Sequence, residues 1–245
     1  MTFRPRELLI ASLGIVPYAD ALDLQRSAAA ARLDGRLEHD LLILLEHPPV
    51  VTTGRSTKQH NLLLDRAALL RRGVELFDVE RGGDVTFHGP GQLVGYPIID
   101  LKGHKEDLHW YLRQVERLVI DALASVGVDA ARNPGKTGVW TNDRKIASIG
   151  VHARQWVTSH GFALNVTTDL SYFDVMVPCG IPGVVMTSVE RELLERAGGP
   201  CLATSPTLGD EVHAAVVRST GSLFSLEPTP IAGDALREIV AAVAS

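Results

Sequence analysis

Apolar positions along the chain follow two rhythms. In residues 107–126, Leu108, Tyr111, Leu112, Val115, Leu118, Val119, Ala122, Leu123 and Val126 recur every three or four positions, which predicts an amphipathic helix stopped by Gly127. Residues 17–33 predict another helix, with Pro17 suited to its first turn and Tyr18, Ala21, Leu22, Gln25 and Ala29 on one side. Residues 65–72 form a shorter helix that Gly73 ends. The uninterrupted apolar run at 41–45, closed by Glu46-His47-Pro48-Pro49, reads as a buried strand, and 50–53 as a second one. Further strands are predicted at 7–13, 76–80 and 94–99. Three more follow at 138–142, 145–154 and 160–165, the first two joined by the turn Asn142-Asp143-Arg144. Thr187-Ser188-Val189-Glu190 reads as a capping box opening a helix to Arg196, and 207–220 as the last helix.

This order is not a strict alternation of strand and helix. It predicts an α+β fold, one domain over residues 1–224, with a mixed, mostly antiparallel sheet flanked by helices. Residues 225–245 are proline-bearing and then alanine-rich, and are expected to be a loosely ordered tail.

Composition narrows the function classes. With 45% hydrophobic residues in 245, the chain can bury a substantial core. No apolar run reaches membrane-spanning length. Glu7 interrupts the N-terminal apolar stretch, so it reads as a strand and not a signal peptide, and a cytoplasmic protein is expected. Cys179 and Cys201 are the only cysteines and form no C-x-x-C pair, which argues against a disulfide framework or structural zinc. A net charge of -5 without a basic cluster gives no reason to expect nucleic acid.

Four segments hold candidate chemistry. "RGGDVTFHGPGQ" at 81–92 concentrates glycine and proline around Arg81, His88 and Gln92, suiting close backbone approach to a ligand or a tight hairpin. Neither residues 89–95 nor 54–58 make a nucleotide loop: the first has the wrong glycine spacing and leads into a strand, and the second lacks a glycine. In 144–152, strand alternation places Lys145 with Ala147 and Ile149, so the lysine either points inward as an acid or base or snorkels at an edge. In "HGFALN" at 160–165, Gly161 beside Phe162 suits close approach to an apolar ligand or a plain core strand. In "MVPCGIPG" at 176–183, Cys179 is either a packed thiol or a nucleophile framed by Pro178 and Gly180.

Together, "RGGDVTFHGPGQLVGYPI" (81–98), "GVWTNDRKIASIGVHARQWVTSHGFALNV" (138–166) and "VPCGI" (177–181) resemble, in order, the signature segments of octanoyltransferases in the biotin/lipoyl protein ligase group. The resemblance runs from about residue 8 to 224, and departs where Phe87 stands in place of the family's usual tyrosine. It implies transfer of an octanoyl (or lipoyl) group from acyl carrier protein to one lysine of apo lipoyl domains. These acceptors are the lipoyl domains of 2-oxoacid dehydrogenase complexes and the glycine cleavage H protein. It implies a Cys179 acyl-thioester and Lys145 lowering the thiol pKa. A pocket is implied from Arg81, Gly82, Gly83, Asp84, Val85, Thr86, Phe87 and His88 with Ser148, Ile149, Gly150, Gly161, Phe162 and Ala163. Backbone N–H groups near Gly150 or Cys179-Gly180 are expected to form an oxyanion hole, and His88 to be either a proton shuttle or structural. Arg55, Lys58, Arg144 and Arg154 are candidates for docking the acidic carrier protein. The expectation is a monomer without cofactor, metal or ATP. The rivals are an ATP-dependent lipoate or biotin ligase and a non-catalytic lipoyl-domain binder.

Overall fold

The computed structural model describes residues 6–198 and 205–241. Its first strand, β1 (Arg6–Ile15), leads through α1 (Tyr18–Leu33) to β2 (Asp40–Glu46), which pairs parallel to β1. The chain then builds a small sheet from β3 (Val50–Thr53), β4 (Glu75–Asp78) and β5 (Thr86–His88), with α2 (Arg66–Arg71) between the first two. It returns to the main sheet in β6 (Gln92–Ile98), antiparallel to β2. After α3 (Leu108–Ser125) come β7 (Ala131–Asn133), β8 (Lys136–Thr141), β9 (Arg144–Arg154) and β10 (Val157–Asn165), all antiparallel to their neighbours. α4 (Val189–Arg196), α5 (Leu208–Phe224), β11 (Leu226–Pro230) and α6 (Gly233–Ala241) complete the described chain. The main sheet has eight strands, β11-β1-β2-β6-β10-β9-β8-β7, and the small one has three, β4-β3-β5.

The run at 41–45 is continuously apolar because both faces of its sheet are covered. Leu42 and Leu44 pack with Leu8 and Ile10 against the buried stripe of α3 and against Val212 and Val216 of α5. Leu41, Ile43 and Leu45 point the other way, into Leu9, Ala11, α1 and α6. Each large side chain removed from water here contributes roughly 1.5–3 kcal/mol, so the two layers dominate the fold's stability. Asp107 caps α3 by accepting from the Trp110 N–H at 3.0 Å.

Two sequence expectations need correction. The C-terminal stretch is not loose where it is described: β11 pairs parallel with β1, from Arg6↔Leu226 to Ile10↔Pro230, and Leu236 and Val240 of α6 enter the core. Pro228 and Pro230 lie on the sheet's edge strand, which tolerates a missing N–H. The cap of α4 is Ser188, not Thr187: the Ser188 Oγ accepts from the Arg191 N–H, while Thr187 donates its hydroxyl to Glu192. Among the described residues, no helix is long and apolar enough to cross a membrane.

Candidate active site

A cavity of about 230 Å³ lies on the α1 side of the main sheet, beneath the loop that joins β4 to β5. That is below the roughly 300–1,000 Å³ of common ligand pockets, and it suits a slender ligand. Its floor is a cross-strand row, Val94–Ala163–Ser148, followed by Gly161 opposite Gly150. The two glycines make the floor thin. A Cβ on Gly150 would come within 2.8 Å of the Gly82 carbonyl and 3.1 Å of Arg81 Cδ, so glycine here lets the roof settle on the sheet. Gly82 fastens that roof by donating its N–H to the Val151 carbonyl at 2.9 Å. The closed end is formed by the buried Tyr18, Tyr96, His88 and His160, and the open end by Gly83, Lys136, Thr137 and Ile181 beside Cys179.

Cys179 sits on the one-turn segment Pro178–Gly180 with φ 55° and ψ 19°, a left-handed conformation costly for a side chain. Three bonds hold it: the Cys179 N–H donates to Val85 O at 2.8 Å, Gly180 N–H to Val177 O at 2.9 Å, and Ile181 N–H to Pro178 O at 3.1 Å. These bonds correct the expectation of an oxyanion hole at Cys179-Gly180, because both N–H groups are already committed. Below the turn, Asn61 Nδ2 donates to Asp84 Oδ2 at 2.6 Å, and the Val177 N–H donates to Asn61 O at 2.7 Å.

The half-buried Cys179 sulfur meets two side chains of β9. Ser148 Oγ lies 3.5 Å from Sγ, and Lys145 lines the same cavity, where its positive charge acts on the thiol. Burial pushes the thiol pKa up, but the Lys145 charge, the Ser148 hydroxyl and Arg81 together outweigh it and hold it below its ordinary value. Lys145 and Ser148 converge because of a bulge. Val139 pairs with Ala147 but Trp140 with Lys145, so Ile146 has no opposite number. Past the bulge the alternation flips: Ile146 and Ala147 both enter the α3 core, while Lys145 shares the cavity side with Ser148. The simple two-residue pattern had placed Lys145 with Ala147 and Ile149, and the extra residue overturns it.

Lys145 is almost wholly buried, at 1% exposure, over the Trp140 ring at 5.6 Å. Gly138 makes room: a Cβ there would stand 2.7 Å from Lys145 Cε, and its φ of 122° disfavours any side chain. The Lys145 backbone is gripped from the other side, its N–H donating to Val185 O at 2.8 Å and its carbonyl accepting from Thr187 N–H at 3.0 Å.

A directional chain of hydrogen bonds runs beneath the cavity. Arg81 donates to Thr52 Oγ1 at 2.8 Å, and Thr52 lies 3.4 Å from His88 Nε2. His88 Nδ1 meets Gln92 Oε1 at 2.9 Å, Gln92 Nε2 donates to Asn165 Oδ1 at 2.9 Å, and Asn165 Nδ2 to Thr187 O at 2.9 Å. Since Gln92 Oε1 only accepts, His88 carries its proton on Nδ1. Burial holds the His88 pKa well below the usual value, and both ring nitrogens are engaged, which favours the structural role over the shuttle.

Of the residues named from the sequence, Arg81, Gly83, Asp84, Thr86, His88, Lys145, Ser148, Ile149, Gly150, Gly161, Phe162, Ala163 and Cys179 line the cavity. Gly82, Val85 and Phe87 do not. Gly82 is roof backbone, Val85 is buried in the small sheet's core, and Phe87 stacks on Tyr172 at 4.6 Å, sealed in that same core. Sequence reasoning missed Tyr18, Val94, Tyr96, Gly135, Lys136, Thr137, His160 and Ile181 as lining residues. In the sequence, Tyr18 reads only as part of one side of a helix and Val94 only as the start of a strand. Their role depends on which face the loop 81–88 covers. Of the docking cations, Arg55, Lys58 and Arg154 are exposed, but Arg144 is bound to Glu192 at 2.8 Å and Glu195 at 2.6 Å. Cys201 lies outside the described residues.

Comparison with known proteins adds four findings. The family model described as the lipoyl protein ligase A/B catalytic domain matches residues 17–198. An octanoyltransferase of Solibacter usitatus is 53% identical over 176 residues, covering 72% of this chain and 80% of its own. One from Desulforamulus reducens is 38% identical over 235 residues, covering 96% and 98%. A putative lipoate protein ligase from T. acidophilum with bound lipoic acid superposes with a TM-score of 0.71 at 17% identity, covering 97% of this chain and 94% of that one. At that identity the likeness concerns the fold.

Proposed function

The chain belongs to the lipoyl protein ligase A/B catalytic-domain family, among its octanoyltransferases, and from that premise we propose how its own residues move the acyl group. The reaction is octanoyl transfer in lipoate biosynthesis. The donor in this reading is octanoyl-acyl carrier protein and the acceptor a lysine of an apo lipoyl domain. In this reading the enzyme works as a monomer.

The Cys179 thiolate attacks the carbonyl carbon of the donor thioester. A new carbon–sulfur bond forms, the old one breaks, and the departing carrier thiolate takes the proton of the Lys145 ammonium. The acceptor amine then attacks the acyl-cysteine. Its proton passes to Lys145 as the amide bond forms, and the Cys179 thiolate leaves, restoring the resting pair. One thioester is exchanged for another before the amide forms, so no nucleotide is needed to activate the acyl group. The tail lies in the slot over Ala163 and Gly161, where each buried methylene contributes about 0.8 kcal/mol.

The observation that carries this reading is the convergence of Lys145 and Ser148 on the Cys179 sulfur at the cavity's open end. Its test mixes the protein with octanoyl-acyl carrier protein and apo lipoyl domain without ATP. Mass spectrometry is expected to show an octanoyl adduct on Cys179, absent from Cys179→Ala. Lys145→Ala is expected to fold but lose at least about a hundredfold in turnover. Product appearing only after ATP addition would sink the reading in favour of a ligase.

A further inference from the structure

We propose that Ser148 is a third catalytic residue, whose hydroxyl donates first to the Cys179 thiolate and then to the oxyanion that forms when the sulfur is acylated. The proposal rests on Cys179 being the nucleophile. It begins from position: Ser148 Oγ stands 3.5 Å from Sγ, on the strand that carries Lys145, and the Ile146 bulge brings both side chains to one side. A thiolate has no proton to give, so in the ionised enzyme Ser148 must be the donor.

A division of labour follows. When the thiolate attacks, its charge moves to the carbonyl oxygen, which needs a donor. The N–H groups of Cys179, Gly180 and Ile181 are bonded to Val85, Val177 and Pro178, so the nucleophile's own turn offers none. Two side-chain donors face the cavity with the sulfur, the Lys145 ammonium and, 3.5 Å from Sγ, the Ser148 hydroxyl. The ammonium's proton is consumed by the departing thiolate. A serine hydroxyl is too weak an acid to surrender its proton, so it can stay on the oxyanion through both tetrahedral intermediates. The charged groups around the sulfur are Lys145 of β9, Arg81 from the roof, Lys136 at the open end, and Asp84 beneath Gly180.

The test compares Ser148→Ala and Ser148→Thr with the unaltered chain. One measurement is the pH dependence of Cys179 alkylation by iodoacetamide, read on the Cys179 peptide; the other is the rate of octanoyl adduct formation from octanoyl-acyl carrier protein. For Ala, the alkylation inflection is expected to move to higher pH and adduct formation to slow about tenfold, the worth of one hydrogen bond to a charged group. Thr, which keeps the hydroxyl, is expected to recover both. A purely packing role would leave the inflection in place. An Ala variant with unchanged inflection and adduct rate overturns the proposal, as does a Thr variant no better than Ala. Cys179→Ala run alongside separates the two readings. An adduct that survives there removes the nucleophile and this proposal with it; an adduct lost there but unaffected in Ser148→Ala removes Ser148 alone.

Discussion

Two adjacent residues with positive φ, Cys179 at 55° and Gly180 at 67°, present the sulfur to the cavity. The cysteine's conformation costs of order 1–3 kcal/mol, and the hydrogen bonds to Val85, Val177 and Pro178 offset it. Gly180 stands where a side chain is disfavoured. A Cβ would overlap Asp84 Oδ2 and stand 3.0 Å from Asn61 Nδ2, the two groups that clasp the turn. Gly180→Ala is therefore expected to cost about 1–3 kcal/mol in urea unfolding and to slow Cys179 alkylation, because the sulfur swings away from Lys145 and Ser148. Native stability together with native alkylation would show that the turn does not depend on glycine. The motif around Cys179 was legible in the sequence, since proline and glycine beside a cysteine suggest a fixed turn. The commitment of the Cys179 N–H was not, because its acceptor at Val85 comes from a distant loop packed on the turn, whereas the Gly180 N–H closes locally on Val177.

Strand β9 shows why an element can be located and still be turned the wrong way. Its extent was predicted to within a residue or so, yet its faces were reversed at Lys145, because a bulge is a property of the pair. Ile146 is surplus only relative to Val139 and Trp140 across the hairpin, and nothing in the run of β9 alone marks it. What holds the bulged end in place is α4. Glu192, with 5% of its side chain exposed, accepts from Arg144 at 2.8 Å and 2.9 Å and from Asn142 at 3.1 Å, and Thr187 donates to it at 2.5 Å. Burial works against this carboxylate's charge, but the Arg144, Thr187 and Asn142 hydrogen bonds outweigh it and keep its pKa below the ordinary value. Arg144 immediately precedes Lys145, and Thr187 N–H grips the Lys145 carbonyl, so Glu192 steadies the lysine from both sides without touching the cavity. Glu192→Ala is expected to lose about 1–3 kcal/mol of stability. It is also expected to lower kcat with little change in KM, and to speed amide hydrogen exchange at residues 144–147. Altered stability with unchanged kcat and exchange would confine Glu192 to holding α4.

At the scale of the whole molecule, the α+β class and the mixed sheet were legible from element order, whereas the closing edge was not. β11 and α6 carry too weak a local signal to be read without β1 and the α1 face waiting for them. The same layering buries ionisable groups whose protonation is set by the fold. His47 is fully buried, its Nδ1 2.7 Å from Val16 O and its Nε2 2.7 Å from the Tyr96 hydroxyl, and burial pulls its pKa down to about 4. His160, at 2% exposure by the closed end of the cavity, is likewise pulled by burial to about 4, although Glu80 opposes the shift. In the unfolded chain both titrate near the ordinary histidine value of 6.5. Between these values the unfolded state holds protons that the folded state refuses, so stability rises with pH across the window and is lost as pH falls from about 6.5 to about 4. Each histidine contributes about 3 kcal/mol to that loss, an order-of-magnitude figure from roughly 1.4 kcal/mol per pKa unit. Domains are stable by only about 5–15 kcal/mol, so two such groups are enough to bring the protein near unfolding at the acid end. Asp40 adds to the loss further down. Its pKa lies below the ordinary value because hydrogen bonds from His104 and the Asp100 N–H, with the Arg32 charge, outweigh burial, so its contribution disappears as pH falls through that lowered value. Urea unfolding measured at pH 7, 5.5 and 4.5 is expected to show a fall of several kcal/mol, steepest below pH 6, with little change above pH 7. A flat profile over that range would mean that His47 and His160 take up protons in the folded state, and that the layer between α1 and the main sheet is far wetter than its packing shows.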